Sequence, residues 1–325
     1  MTTVVSGLVD AQVNGAAGID LTAEPHRLWE VAAALPAYGV VAFVPTVITS
    51  DPAARDRALA TLAAGPPAGW SGAEPLGLHF EGPMIAPTRK GAHPERWLRP
   101  PSLDLVDGWS RETGVVIATI APELPGALEV IERLTARGVV VSVGHTAASA
   151  AEVTAALEAG ARYLTHLGNA MPPMRAREPG PVGAAFGGQV VAGLIVDGHH
   201  LDPLFVRTAW RTLGPDRFVS VSDTTAGLGL PDGPARLGDQ DVVVADGTVR
   251  LAGGTLAGSA ASLLDCLRVL VAQTGCTIEE AVATASTTPL DLLGLPHREE
   301  RIRLTDDMHL ESDLESDLES HMEVD

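Results

Sequence analysis

Eight short runs rich in β-branched residues recur along the chain, and segments of helical character separate most of them. The runs are residues 7–13, 40–46, 75–82, 115–123, 139–145, 163–171, 190–198 and 218–223. The intervening segments, such as "LPGALEVIERLTARG", carry apolar residues at helical spacing and end in glycine. Continuous apolar runs that alternate with helices predict a parallel sheet covered on both faces. Eight units favour an α/β fold of the (β/α)8 TIM-barrel type, with a doubly wound open sheet as the alternative.

The C-terminal end of the chain differs from the rest in composition. Residues 297–325 carry eleven acidic and three basic side chains and finish in the repeat "LESDLESDLESHMEVD". Few apolar residues and no turn chemistry predict a solvated tail that is disordered or partly helical. The preceding residues are numerous enough for one large barrel. We therefore predict a catalytic barrel at 1–296 and an acidic tail at 297–325.

Charge and hydropathy exclude several classes of protein. The formal net charge of −19 argues against a nucleic-acid partner, because phosphate contacts need clustered lysine and arginine. No apolar stretch reaches spanning length, and "MTTVVSGLVD" lacks the charged start and apolar core of a signal peptide. The two cysteines, Cys266 and Cys276, are typical of inert thiols in a reducing compartment. These features predict a cytoplasmic protein without membrane partners.

Polar side chains stand at or near the C-terminal ends of six runs, on the face where such barrels carry out chemistry. They are Gln12, Glu81, His145, His166, Asp197 and Asp223. A buried glutamate without a partner is costly, so Glu81 in "GLHFEGPMIAPTRKGAH" indicates a bound cation. A single histidine at such a position is more often structural. Two histidines and a carboxylate together form a set typical of catalytic zinc, with the fourth position left for water.

Asp223 ends the last run in "VSVSDTTAG". Such an aspartate can be a helix cap or a turn residue. Beside a metal site it can instead take a proton from the attacking water and return it to the leaving group. The second role requires that Asp223 face the metal ligands.

Six motifs occur together in an order that resembles one enzyme family: "HFEGPMIAPTRKGAH", "VGHTAAS", "THLGNAM", "REPG", "DGHH" and "SDTTAG". From roughly residue 7 to residue 295 the chain resembles the N-acetylglucosamine-6-phosphate deacetylases of the amidohydrolase superfamily. The resemblance implies hydrolysis of the N-acetyl group of this phosphosugar to glucosamine 6-phosphate and acetate. It also implies Glu81, His145 and His166 as metal ligands and Asp223 as general base and acid.

The first strand bears on the number of metals. Many amidohydrolases carry His-x-His there, whereas this chain has Gln12 and Asn14, as in family members that work with one metal. The resemblance therefore implies a single divalent metal with Gln12 as a possible neighbour of the site. Zinc is the default for this donor set, and iron, cobalt and manganese are alternatives.

Substrate-binding positions also follow from the resemblance. His93 matches a histidine that contacts the sugar, and His200 matches one that contacts substrate near the metal, with His199 as the alternative for the second. Asn169 and Ala170 match positions whose backbone amides hold the phosphate. Arg177 matches an arginine that binds phosphate from the neighbouring subunit, so the resemblance implies a homodimer. A guanidinium suits this role because it offers paired donors and stays charged.

The chain departs from the family pattern at both ends. Family members carry a small β-sandwich domain formed by strands before and after the barrel, and we expect this domain to be missing here. Two other functions stay open on the residues alone. One is an amidohydrolase that deacetylates another N-acetyl amino sugar or a cyclitol, and the other is a non-catalytic barrel that binds sugar phosphate.

Overall fold

Eight parallel strands form the centre of the computed structural model, which describes residues 2–237 and 240–311. They pair in chain order, each with the next. The strands are β1 (Leu8–Val13), β2 (Val40–Ile48), β3 (Leu78–Glu81), β4 (Val115–Ile120), β5 (Val140–Val143), β6 (Tyr163–Leu164), β7 (Val191–Ile195) and β8 (Phe218–Val221). Each lies within or overlaps one predicted run, so the prediction of a TIM-type barrel is confirmed.

The first and last strands meet at a seam. The described residues show no continuous ladder between β8 and β1. One isolated parallel bridge joins Val13 to Thr224, and the Asn14 amide donates to the Thr224 carbonyl at 2.7 Å. The barrel is therefore nearly closed in its backbone, and side chains complete the contact between its two edges.

Nine α-helices are present among the described residues. They are α1 (Leu28–Ala34), α2 (Pro52–Ala64), α3 (Ala127–Ala136), α4 (Ala150–Glu158), α5 (Gly180–Gly187), α6 (Pro203–Leu213), α7 (Leu263–Thr274), α8 (Ile278–Ala283) and α9 (Thr287–Leu293). Capping boxes begin α4, α7 and α8, because Ser149, Ser262 and Thr277 each exchange hydrogen bonds with an acidic residue three positions later. The local sequence thus fixes where these helices start.

The connection after β3 contains no α-helix. Residues 82–114 form a long loop with short 3-10 turns at Pro87–Arg89 and Glu95–Trp97. Long loops with little regular structure usually carry function, since they can shape a binding site. This loop brings His93 and Arg89 over the C-terminal end of the barrel.

An antiparallel meander stands between β8 and α7. Its strands are Gly233–Leu237, Gln240–Ala245, Thr248–Leu251 and Leu256–Ser259. Asp246 and Gly247 have φ of +50° and +72°, as a two-residue type I′ hairpin turn requires. Val242, Val244 and Val249 are buried and pack in one cluster with Ile48 at the end of β2. The meander therefore lies against the mouth of the barrel.

The two ends of the described chain pair with each other. Thr2–Ser6 is antiparallel to Arg301–Thr305, and Leu304 is fully buried. Residues 301–305, which lie within the predicted solvated tail, form a strand instead. Alternating apolar residues in "RIRLT" place Ile302 and Leu304 on the inner face of this pair, which the acidic composition concealed. The repeat at 312–325 lies outside the described residues.

Short strands complete the fold. Gly15–Ala16 pairs with Ile19–Asp20, and Glu74–Pro75 pairs with β2. Across residues 2–237 and 240–311, no helix combines the length and apolar character needed to cross a membrane.

Candidate active site

A cavity of about 330 Å³ opens at the C-terminal ends of the barrel strands. Eight of the residues predicted from the sequence line it: Glu81, His93, His145, His166, Asn169, Ala170, His200 and Asp223. Gln12 lies beside it and contacts two of these residues. Arg177 lies elsewhere and is described below. The fold therefore brings together side chains that are far apart in the sequence.

Glu81, His145 and His166 converge on one another. Glu81 Oε1 lies 3.1 Å from His145 Nε2 and 3.0 Å from His166 Nε2, and the two imidazole nitrogens are 3.1 Å apart. All three side chains are buried. Burial alone would raise the pKa of Glu81, but hydrogen bonds from the two histidines hold it well below its usual value. A dense group of two nitrogens around an ionised carboxylate suits a divalent cation.

The spacing of the cluster and the hydrogen bond to His145 Nδ1 support this fit. Ligands about 2.0–2.1 Å from a tetrahedral ion lie roughly 3.3 Å from one another, close to the observed separations. His145 Nδ1 donates to the carbonyl of Arg89 at 2.8 Å, so Nδ1 keeps its proton when Nε2 gives up its own to bind a cation. A metal-binding histidine needs this tautomer. The residues present therefore fit a bound metal.

His93 offers a second way to complete a cation site. Glu81, His93 and His145 place ligand atoms within 4.8 Å of one another. However, His93 Nδ1 already contacts Thr49, at 2.8 Å from its hydroxyl and 3.4 Å from its amide, so Nε2 is the ring nitrogen left for a ligand. Burial lowers the pKa of His93 well below its usual value, so the ring is neutral. A neutral ring held through Nδ1 can offer Nε2 to a polar group of a ligand in the cavity.

Asp223 is held by two side-chain amides from β1 and the residue that follows it. Its Oδ1 accepts from Gln12 Nε2 at 2.9 Å and from Asn14 Nδ2 at 2.7 Å. Gln12 Nε2 also lies 3.4 Å from Glu81 Oε2, so it links this carboxylate to the cluster. Burial and then the charge of Glu81 raise the pKa of Asp223 to about 6. The aspartate is thus fixed beside the cluster with a pKa suited to proton transfer near neutral pH.

The backbone adopts left-handed conformations at the site. φ is +47° at His145, +33° at His166 and +49° at Asp223, and it is +51° at Ala170. Such conformations cost on the order of 1–3 kcal/mol each for residues other than glycine. At the ends of β5, β6 and β8 they turn the chain so that these side chains enter the cavity. The surrounding barrel holds them there.

His200 is fixed by Asp197 after β7. Asp197 Oδ2 lies 2.6 Å from His200 Nδ1, and Oδ1 accepts the backbone amides of His199 and His200 at 2.9 Å. Burial would raise the pKa of Asp197, but these hydrogen bonds, led by that of the His200 ring, lower it. His199 is exposed, whereas His200 lines the cavity. Of the adjacent pair, His200 is therefore the one beside the cluster.

The predicted phosphate-binding positions follow β6. Asn169 and Ala170 line the cavity, but the Asn169 amide already donates to the His166 carbonyl at 2.9 Å. Asn169 Nδ2 is buried without a hydrogen-bond partner in the part of the chain that the structure describes. The side-chain amide of Asn169 is thus a better candidate donor than its backbone.

Arg177 is exposed on the loop between β6 and α5. It lines a second cavity of about 550 Å³ together with Arg175 and Arg89. Arg89 lines both cavities. Within one chain, Arg177 is therefore not part of the cavity that holds the other predicted residues.

Several residues at the site were not assigned a role from the sequence. Thr49 and Arg89 orient two histidines, and Asn14 holds Asp223. The meander contributes a wall of the cavity through Leu237, Thr255, Leu256, Ala257 and Gly258. The "ADGT" stretch within an alternating apolar pattern is a strong hairpin signal that would have found the meander.

Known proteins resemble this chain over most of its length. N-acetylglucosamine-6-phosphate deacetylase of Rattus norvegicus is 38% identical over 305 residues, which cover 89% of this chain and 74% of the rat protein. The Bacillus subtilis deacetylase is 33% identical over 316 residues, covering 95% of this chain and 80% of that protein. The chain belongs to the N-acetylglucosamine-6-phosphate deacetylase family. No family model matches it.

Solved structures of this deacetylase family share the fold. The Mycobacterium smegmatis enzyme, solved as a mutant in complex with N-acetyl-D-glucosamine-6-phosphate, aligns with a TM-score of 0.86 and 35% identity. That alignment covers 95% of this chain and 84% of the mycobacterial one. The Thermotoga maritima deacetylase aligns with a TM-score of 0.85 and 30% identity, over 94% of this chain and 85% of the other. The fold is thus common to these proteins.

Proposed function

We infer that this chain hydrolyses the N-acetyl group of N-acetylglucosamine 6-phosphate to give glucosamine 6-phosphate and acetate. The observation that carries the proposal is the buried cluster of Glu81, His145 and His166 with Asp223 fixed beside it through Gln12. It lies in a chain that is 38% identical to a deacetylase of this specificity. A carboxylate next to a metal-binding cluster is the arrangement that amide hydrolysis needs.

The cluster would hold one divalent cation. Glu81, His145 and His166 supply the donors, and zinc suits them best, with iron, cobalt or manganese as alternatives. When bound, the cation polarises the amide carbonyl and makes water a stronger nucleophile. Gln12 and Asn14 direct their NH2 groups at Asp223, and their buried carbonyl oxygens have no partner among the described residues. These two amides therefore position the Asp223 carboxylate.

Asp223 moves the proton. Because Gln12 and Asn14 both occupy Oδ1, Oδ2 is the oxygen left to accept a proton from the attacking water. The same group returns that proton to the nitrogen as the carbon–nitrogen bond breaks, so glucosamine 6-phosphate leaves with a neutral amino group. His93 and His200 line the cavity and orient the sugar. Asp197 fixes His200 for this purpose, as a carboxylate does for a catalytic histidine.

The phosphate needs cationic or amide donors on an otherwise anionic protein. Asn169 and Ala170 lie at the cavity, whereas Arg177 is exposed on a loop that also carries Met174, 54% exposed. An exposed arginine beside an exposed apolar residue suits a contact with a second copy of the chain. We therefore assign Arg177 to the phosphate of the substrate in the neighbouring subunit of a homodimer.

The direct test is acetate release from N-acetylglucosamine 6-phosphate, measured beside unphosphorylated N-acetylglucosamine and with bound metal quantified on the same sample. We expect near-stoichiometric metal and turnover that depends strongly on the phosphate. Metal without turnover of either sugar would overturn the proposed substrate.

Replacing Arg177 tests phosphate recognition. Arg177→Ala is expected to raise KM for the phosphorylated sugar by roughly 10–100-fold with little change in kcat, because charge-assisted hydrogen bonds contribute about 1.5–3 kcal/mol. Arg175→Ala is the matched control, since Arg175 lies on the same loop and pairs with Glu178 at 3.2 Å. Steady-state kinetics of the two variants measures the difference. Equal effects would mean that the loop acts only through its overall charge.

The pH profile tests the role of Asp223. The proposed base works only when ionised, and burial together with the Glu81 charge raises its pKa to about 6. Activity is therefore present above this pKa and lost as pH falls through it. A cation held by Glu81 lowers the same pKa, so we expect kcat/KM to fall about tenfold per pH unit from pH 6 or below. A profile that instead rises towards acidic pH would contradict the assignment.

A further inference from the structure

Asp10 lies inside the barrel at the seam between β1 and β8. It is 1% exposed, and it sits two residues before Gln12 on β1. Its Oδ2 accepts the hydroxyl of Ser222 at 2.5 Å. Its Oδ1 lies 3.3 Å from the Ser222 amide and 3.2 Å from the Gln12 amide, and both donate to it. One carboxylate thus ties together the two strands that share no backbone ladder among the described residues.

Each group that donates a hydrogen bond to Asp10 belongs to a residue that is adjacent to Asp223 or contacts it. Ser222 precedes Asp223, and its hydroxyl oxygen also accepts the amide of Thr224, the residue that follows, at 3.1 Å. The peptide that follows Asp223 is therefore fixed through this hydroxyl, and Asp10 itself holds the amide of Ser222 on the preceding side. The backbone amide of Gln12 donates to Asp10, and the side-chain amide of Gln12 donates to Asp223 Oδ1 at 2.9 Å. Backbone and side chain of Asp223 are thus both constrained by contacts that start at Asp10.

Joining the two strands through a buried carboxylate has a large desolvation cost. Burial raises the pKa of Asp10 to about 7, which reflects the cost of placing its charge away from water. An apolar pair of similar size would join β1 to β8 without that cost. The left-handed conformation of Asp223, with φ of +49°, needs neighbours that over-determine it. The hydrogen bonds to Ser222 and Thr224 supply that constraint.

We propose that Asp10 is a positioning residue for the deacetylation reaction, which sets the orientation of Asp223 through Ser222 and Gln12. The inference rests on the proposed function, and it concerns a residue that touches neither the metal cluster nor the cavity. Asp10 explains how the Asp223 side chain keeps one orientation although β1 and β8 are not joined by a backbone ladder. Its loss should therefore reduce the rate of the chemical step more than substrate binding.

The test compares Asp10→Asn and Ser222→Ala with Ser220→Ala. Ser220 lies two residues earlier on β8, and its hydroxyl forms an equally buried hydrogen bond with Thr284 at 2.7 Å, away from Asp223. We expect Asp10→Asn to lower kcat by about 10–100-fold with KM within about twofold, as residues that orient catalytic groups do. Ser222→Ala should act in the same direction. Ser220→Ala should keep kcat within about twofold, even where it lowers the unfolding midpoint similarly.

A double variant distinguishes a positioning role of Asp10 from a general effect on stability. In Asp223→Asn, the further change Asp10→Asn should leave the residual rate unaltered, since residues that act through one group are not additive. Bound metal should stay near stoichiometric in every variant. A kcat loss equal to that of Ser220→Ala, a full additional loss in the Asp223→Asn background, or loss of metal would each overturn the inference. Absence of turnover in the unmodified chain would instead overturn the proposed function, and with it this step.

Discussion

Asp223→Asn is expected to lower kcat by about 10²–10⁴-fold while the protein keeps its fold and its bound metal. General acid–base catalysis contributes rate factors of this size, and asparagine cannot take up the proton at neutral pH. The size and the hydrogen bond from Asn14 are retained, because the asparagine side chain still offers an oxygen to Nδ2 at the same place. Steady-state deacetylation with metal analysis of the same preparation measures the effect.

Two further observations make this prediction specific. The acidic limb of the pH profile should disappear with Asp223, since the group that titrates with a pKa of about 6 is gone. Asp291→Asn is the control, because Asp291 is an exposed carboxylate that pairs with His297 outside the site. A variant at Asp223 that retains more than about a tenth of wild-type kcat would show that another group moves the proton.

Glu81→Gln is expected to remove bound metal and to reduce turnover by at least about 10³-fold. Glu81 is the only carboxylate within hydrogen-bond distance of both His145 and His166 among the described residues. The neutral amide is a weak ligand for a divalent cation, and two histidines alone hold zinc poorly. Loss of the cation removes several kcal/mol of stabilisation from the transition state. Metal quantification by mass spectrometry, followed by the acetate assay, tests both parts.

The same variant has an informative stability profile. Glu81 is buried, and its negative charge is offset only by the cation or by protonated histidines. Removal of the metal leaves this charge uncompensated in the wild type, whereas Glu81→Gln carries no charge there. Chelation should therefore lower the unfolding midpoint of the wild type and leave that of the variant unchanged. Glu129→Gln, on the exposed side of α3, should respond to chelation like the wild type. Retention of stoichiometric metal by Glu81→Gln would show that Glu81 is not needed to hold the cation, which excludes both the set with His166 and the set with His93.

Much of the barrel follows from the sequence because its signals are local. Each strand is a short apolar run that glycine or polar residues end, and burial on both faces requires that pattern. The residues at the strand ends, including Glu81, His145 and Asp223, were found for the same reason. Parallel strands bring their C-terminal ends to one face, so residues at these ends lie close together in the fold.

Features that depend on contacts across the fold did not follow from the sequence. The pairing of Thr2–Ser6 with Arg301–Thr305 joins the two ends of the described chain. Neither segment carries a local signal that identifies the strand with which it pairs. The hydrogen bond of Asp10 to Ser222 spans 212 positions. The exposure of Arg177 depends on how a loop of irregular structure leaves the barrel. Long-range pairing of this kind is set by packing rather than by local propensity.

The left-handed residues at the mouth of the barrel also limit how much sequence change the protein tolerates. His145, His166 and Asp223 hold conformations that together oppose folding by several kcal/mol, on the order of half the net stability of an ordinary domain. A glycine would relieve each of them but would abolish the chemistry. This cost leaves less net stability to absorb further mildly destabilising substitutions. Evolution of a new acyl specificity in this barrel should therefore require stabilising changes elsewhere before the mouth itself can vary.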